Sequence, residues 1–439
     1  MVRIRLKNLS QYMERIKNLV NVLFFVCISL SLFSGFLYLT DVALYDNWMI
    51  VKLAYVLYLL LPYAYVFIAF LRIGILFFEK RNKAVLLLVL MVISYIHSRY
   101  SNNDMLNVFN YVAMAIAAYE VSFIRIAHVF LSGEVVFSII IVLASVLGIV
   151  PNEIIIEGSR RFVMLGFGGH SALMMILFFN TLVLFYLLRE KKVYYVELFF
   201  VGLLSGIIYY LTNSRTSFVV LMLFLCGVFI ISLLNQFCAE NRIRRFFSKV
   251  SLILIYMPIL ASIISMIGVL LWNIFIYEVE FDKPFEIQWY MLWGNTMFNR
   301  FGDASINFGM NGFRLPWENL ALTKWFDAEG VKYNWLFGGK KFAYATDNVY
   351  AGIFITAGIV VFVLVMACMI YLTYRAYRTG DIIMTWVFAC LSIFHIMEGL
   401  LYFVYNPFLI IIFSDWERKT ETEVEGKHLK ESVLIGAGL

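Results

Sequence analysis

The chain has 439 residues, 62% of them hydrophobic and only 15% charged, with a mean hydropathy of +0.84. Soluble domains run at roughly 45–50% apolar and about 25% charged, so a water-soluble globular fold is excluded. The formal net charge of +6 therefore belongs to a membrane topology and not to a nucleic-acid footprint.

Apolar runs long enough to cross about 30 Å of hydrocarbon recur along the chain, separated by short charged connections. The period-2 alternation of a membrane barrel is absent, so each span must satisfy its backbone within its own helix. Arg3, Arg5, Lys7, Arg15 and Lys17 precede the first run, which is longer than a signal h-region and lacks a small-residue cleavage site, as expected for an uncleaved first helix. The hydropathy pattern predicts helices over 19–40, 50–71, 84–98, 105–130, 134–150, 168–188, 193–211, 216–235, 250–272, 348–372, 382–397 and 399–414. The last two are split by Glu398-Gly399, with Asn406-Pro407 following. The expected fold is thus an all-α polytopic bundle of about 12 spans (range 11–13), with membrane helices in 1–272 and 348–414, a large loop at 273–347 and a charged tail at 415–439.

Orientation follows from the basic residues. With the amino terminus inside, the inner segments hold 23 Lys and Arg, the short outer segments 5 and the long loop 7. Both termini are therefore expected in the cytoplasm and the long loop outside. That loop carries Trp289, Trp293, Trp317, Trp325 and Trp335, five of nine tryptophans, which suit either an interfacial aromatic belt or stacking on sugar rings. The basic stretch 236–249 suits anionic headgroups. Cys27, Cys226, Cys238, Cys368 and Cys390 form no CxxC pair and are expected to be packing residues. No repeat and no matching pair of broken helices is visible, which argues against a secondary transporter.

The unusual residues collect on the outer side. Arg160 and Arg161 follow Pro151, Arg215 lies in TNSRTS, and Arg300 begins NRFGDASINFGMNGFR, which ends at Arg314. Each could pair with a carboxylate such as Glu153, Glu157 or Asp303, but together the arginines suit a diphosphate, whose oxygens a guanidinium fork matches in pairs. Asp347-Asn348 precedes an apolar run from Val349, where either side chain can cap a helix. Glu120 and Arg125 form a candidate pair at the inner end of the fourth predicted helix, and structural roles are expected for His97, His128 and His395.

Asn348, nine residues and then Gly358 resembles a motif of the bacterial O-antigen ligase and polymerase superfamily. RRFVMLGFGGHSALMMILFFNTLVL, TNSRTSFVVLML, FNRFGDA, WLFGG and EGLLYFVYNPFLIII are similar to further segments of that superfamily, in the same order and topological placement. Asp347 stands where the ligase branch has His, and Val361 where it has a small or hydroxylated residue, so the resemblance favours a Wzy-type polysaccharide polymerase over a ligase. It implies a glycosyltransferase of the GT-C kind in the bacterial cytoplasmic membrane, working without metal or other cofactor on polyprenyl-diphosphate-linked oligosaccharides. A chain-length regulator is the protein partner such an enzyme can have. It further implies catalytic roles for Arg215, Arg300 and Asp347, with Asp303 and Glu398 as other candidate bases. Arg160, Arg161, His170, Asn348, Tyr350 and Arg314 are implied in substrate binding. A ligase and a lipid-linked oligosaccharide flippase are the competing readings.

Overall fold

The computed structural model describes residues 2–38, 40, 49–101, 108–157, 160–169, 171–237, 249–250, 253–264, 325–326, 332–333, 349–397 and 406–416. The helices are α1 (Val2–Tyr38), α2 (Met49–Glu79), α3 (Arg81–Ser101), α4 (Val108–Ala117), α5 (Phe123–Val146), α6 (Ala172–Leu187), α7 (Tyr195–Thr212), α8 (Arg215–Phe237), α9 (Val349–Arg378) and α10 (Ile382–Met397), followed by a 3-10 helix at Pro407–Phe413. A hairpin of β1 (Ile154–Glu157) and β2 (Arg160–Val163) joins α5 to α6, and a two-residue pairing links β3 (Trp325–Phe326) to β4 (Lys332–Tyr333). Among the described residues, seven helices are long and apolar enough to cross a membrane, and α4, α6 and α10 are shorter apolar helices. The protein is a helical membrane protein.

α6 forms the centre. It is apolar on all sides, is buried along nearly its whole length and touches α5, α7, α8 and α10, as expected of a helix with no polar face. Around it, α1 packs on α2 and α5, α2 on α3 and α4, α7 on α8, and α9 on α10. The outward faces carry Phe199, Phe200, Leu203, Ile139, Ile140 and Leu143 at 53–65% exposure, which is stable only in lipid.

Helices joined by short connections run antiparallel, so the bundle has two ends. One gathers Lys80, Arg189, Asp381 and Trp416, and the other the β1–β2 hairpin and Arg215. At the Asp381 end, Arg189 donates to a carboxylate oxygen of Asp381 at 3.2 Å and to the Trp416 carbonyl at 2.9 Å, and lies over the Tyr186 ring at 4.4 Å. Asp381 also accepts from the Met384 amide at 3.0 Å, capping α10. Gly380, at φ 69°, ends α9 in the left-handed conformation that permits this tight turn. Here the Lys80 ammonium is held above its ordinary pKa by Glu120. Burial pushes the Glu120 carboxyl up, but hydrogen bonding and the charge of Lys80 bring it below its ordinary value.

Several boundaries differ from the hydropathy pattern. The predicted spans 105–130 and 134–150 are instead the ten-residue α4 and the continuous α5, broken at 118–122 and not at 131–133. Hydropathy is blind to this break, which rests on tertiary bonds: Glu120, at φ 57°, donates its amide to the Phe413 carbonyl at 3.0 Å, and Asp415 donates to Val121 at 2.9 Å. Glu120 pairs with Lys80 at 2.6 Å, not with Arg125. Arg72, expected in a loop, is buried two turns inside α2, where it bonds the Ala117 carbonyl left free at the end of α4 and the Asn21 side chain. Of the predicted span 399–414, the described part is the 3-10 helix, started by Pro407 and by Asn406 accepting from Phe408. At about 2 Å per residue it extends only some 14 Å, about half a hydrocarbon core. Cys27, Cys226, Cys368 and Cys390 are free thiols, and Cys238 lies outside the described residues.

α8 and α10 meet at Gly227. The Trp386 indole lies against its Cα and donates to the Phe224 carbonyl at 3.1 Å, and a Cβ at 227 would overlap the ring. Gly227→Ala is expected to cost roughly 1–3 kcal/mol through overpacking, read as a lowered unfolding midpoint in detergent with quenching of native Trp386 fluorescence altered in parallel.

Candidate functional site

At the Arg215 end, α7 stops because Asn213 takes the left-handed conformation (φ 49°, ψ 27°). The turn then passes through Ser214 into α8, whose first residue is Arg215. Thr212, Ser214, Thr216 and Ser217 are all buried, whereas Arg215 is exposed. A guanidinium at a helix start adds to the positive end of the helix dipole, so this corner attracts an anion.

The β1–β2 hairpin lies beside α7. Its register sets Arg160 opposite Glu157 and Arg161 opposite Ile156. Neighbours in a strand alternate faces, and the residue opposite the exposed Arg161 is apolar. This separates two arginines that the sequence could not tell apart.

All four ion pairs among the described residues, Lys17–Glu79, Lys80–Glu120, Arg189–Asp381 and Lys191–Glu197, involve neither Arg161 nor Arg215. Among the described side chains no carboxylate, Glu153 included, pairs with either arginine, and the side chain of Glu157 and all of Asp303 lie outside the described residues. Comparison with protein-family models, curated proteins and solved structures finds no match for this chain.

Between the hairpin and α6, Leu165 (φ 53°) and Gly166 (φ 83°) form a left-handed turn fixed by the Leu165 amide donating to Asn152 at 3.1 Å. Phe167 bridges to Thr40 and packs edge-on against Phe36, tying the turn to α1. A Cβ on Gly166 would lie 3.0 Å from Ile141 Cγ2 and 3.1 Å from Ser145 Cβ. Gly166→Ala thus adds crowding to a conformation that costs an L-residue roughly 1–2 kcal/mol. Loss of thermal stability of about that size, with faster proteolysis in the 158–170 connection, is the expected outcome.

α9 begins at Val349, directly after Asp347-Asn348. Tyr350 is fully buried and its hydroxyl donates to the Ser392 carbonyl at 2.9 Å, so that hydroxyl is committed to holding α9 on α10. At Gly358 the backbone leaves the helical region (φ 79°, ψ 174°), a conformation essentially confined to glycine. His97 of α3 meets the Ala357 carbonyl at that break, at 2.8 Å. The spacing from Asn348 to Gly358 therefore measures one helical piece, 349–357, between a chain start and a break. His128 bonds Ile124 of its own helix at 2.7 Å. His395 is 5% exposed, lies edge-on to Tyr350, and neither ring nitrogen has a hydrogen-bond partner among the described residues.

His170, Asn348, Asp347, Arg300, Arg314, Asp303 and Glu398 lie outside the described residues, as do the side chain of Arg160 and all loop tryptophans except the backbone of Trp325. Sequence reasoning missed Arg72 and Glu134, buried charged groups inside helices. A single polar residue in a long apolar run was the available signal.

Proposed function

We propose that the protein polymerises polyprenyl-diphosphate-linked oligosaccharide repeat units into a surface polysaccharide, at the Arg215 end of the bundle. One observation carries this reading: Arg161 and Arg215 lie on adjoining elements at one end with no carboxylate partner among the described residues, while every described ion pair that involves an arginine or lysine lies at the other. Two guanidinium groups and a helix start form a place for a diphosphate leaving group.

In the reaction, an acceptor sugar hydroxyl attacks the anomeric carbon of the donor chain. The bond from that carbon to the diphosphate oxygen breaks and the electron pair leaves on the diphosphate. Arg161 and Arg215 stabilise the charge developing there, which is the usual source of most of such a barrier reduction. The hydroxyl proton passes to a base, for which Asp347 is the candidate. The roles of Arg160, His170, Arg300, Arg314, Asn348 and Asp347 rest on the sequence resemblance.

Basic residues sort between the ends as a bacterial inner-membrane orientation requires. Lys80, Arg81, Lys83, Arg125, Arg189, Lys191, Lys192, Arg375 and Arg378 lie toward the Asp381 end, against Lys52, Arg99, Arg160, Arg161 and Arg215 toward the other. In this proposal the Asp381 end and both termini face the cytoplasm, and the loop 273–347 faces outward.

Deletion of the gene tests the reading, with cell-surface glycan resolved by gel. Single repeat units in place of long chains support it. Long polymer that fails to reach its final acceptor points to ligation, and unchanged glycan to transport.

A further inference from the structure

Half-way along α5 stands a carboxyl group with no partner among the described residues. Glu134 is 1% exposed and its Oε1 makes no hydrogen bond. At about 1.5 Å per residue it lies some 17 Å from the start of the helix, the depth of a bilayer midplane. α5 packs on α1, α6 and the 3-10 helix. α1 carries no charged residue after Lys17, and its later titratable groups are Cys27 and Tyr38. α6 carries only Tyr186, the 3-10 helix none, and α5 itself Arg125 and His128 nearer the Asp381 end. Among the described residues no cation is placed to neutralise Glu134, and a bare carboxylate at that depth costs several kcal/mol.

Two further groups share its stripe. Ser138 and Ser145 follow at four and eleven residues, within about 40° of arc at 100° per residue, and neither hydroxyl has a hydrogen-bond partner among the described residues. This departs from the rest of the bundle, where Thr181, Ser205, Thr212 and Ser232 each donate to the carbonyl four residues back, at 2.6–2.9 Å. The stripe runs from the midpoint of α5 to the Arg215 end, where the Gly166 turn rests on Ser145. Idle polar atoms in such a row are what ordered water satisfies.

We propose that Glu134, Ser138 and Ser145 line a hydrated track that opens at the Arg215 end and carries protons to and from Glu134, a proton-binding site half-way through the membrane. The track does not depend on the polymerisation reading, since no group in it was placed at the diphosphate corner.

The test uses the full-length wild-type protein in liposomes, treated with dicyclohexylcarbodiimide, which adds to protonated carboxyl groups in apolar surroundings. The expected result is a mass adduct on the peptide holding Glu134, declining as the buffer is made more alkaline and lost in Glu134→Gln. No adduct at Glu134, or protection by sodium at constant pH in favour of a metal-cation site, overturns the proposal. Independently, Ser138→Cys and Ser145→Cys, in a variant with the five native cysteines replaced, are expected to react with a membrane-impermeant thiosulfonate added at the Arg215 end, while lipid-facing Ile140→Cys stays unlabelled. Labelling of the two positions no faster than Ile140→Cys also overturns it. Should the cysteine-free variant fail to fold, the wild-type carbodiimide adduct decides.

Discussion

Asp381→Ala is expected to destabilise the protein by roughly 3–5 kcal/mol, the cost of leaving one member of a buried ion pair without its partner. The side chains of Arg189 and Asp381 are only 7% and 4% exposed, so solvent does little to screen the stranded guanidinium. The loss extends beyond the pair. Asp381 also caps α10 through the Met384 amide, and Arg189 holds the Trp416 carbonyl. Trp416 in turn packs edge-on against Phe388 and beneath the Arg375 guanidinium. Thermal unfolding of the detergent-solubilised protein is the measurement, with cleavage after the 3-10 helix as a local reporter. The double substitution Arg189→Met with Asp381→Leu is expected to recover much of the loss, because two apolar groups leave no charge buried. An unchanged midpoint in Asp381→Ala would show that the pair is open to water.

Arg215→Ala is expected to lower the rate of chain polymerisation by roughly 10²–10³-fold, the usual consequence of removing one group that stabilises charge in the transition state. The side chain is exposed while its neighbours Ser214, Thr216 and Ser217 are packed, so the unfolding midpoint should stay within about 0.5 kcal/mol of wild type. Arg215→Lys should fall between the two, since an ammonium keeps the charge but not the fork that matches two phosphate oxygens. The readout is product length from a lipid-linked repeat unit in proteoliposomes, followed over time at fixed protein. Full activity in Arg215→Ala would remove this corner from the reaction.

The proposed diphosphate corner was partly legible. Arg160, Arg161 and Arg215 stand out in sequence because they oppose the charge bias of their side, yet only the register of β1 with β2 separates Arg161 from the residue set opposite Glu157. That no described carboxylate pairs with Arg161 or Arg215 is likewise a fact of three dimensions. Gly358 was visible as a spacing, whereas its meaning as a helix break closed by His97, 260 residues away in sequence, was not.

The sequence by itself determined that this is a helical membrane protein, which ends are basic, and where most apolar helices run, because lipid forces each span to satisfy its own backbone and hydropathy is a sum over local residues. The predicted 382–397 helix and α10 coincide, and 216–235 and α8 differ by a residue or two. Tertiary structure alone decided the break at Glu120, the burial of Arg72, the short 3-10 segment and the isolation of Glu134. Each depends on a partner far away in the chain, a Phe413 carbonyl, an Ala117 carbonyl or an α1–α6 surface without a cation. A polar group inside a bundle is accounted for by what stands opposite it, and no window of local sequence contains that neighbour.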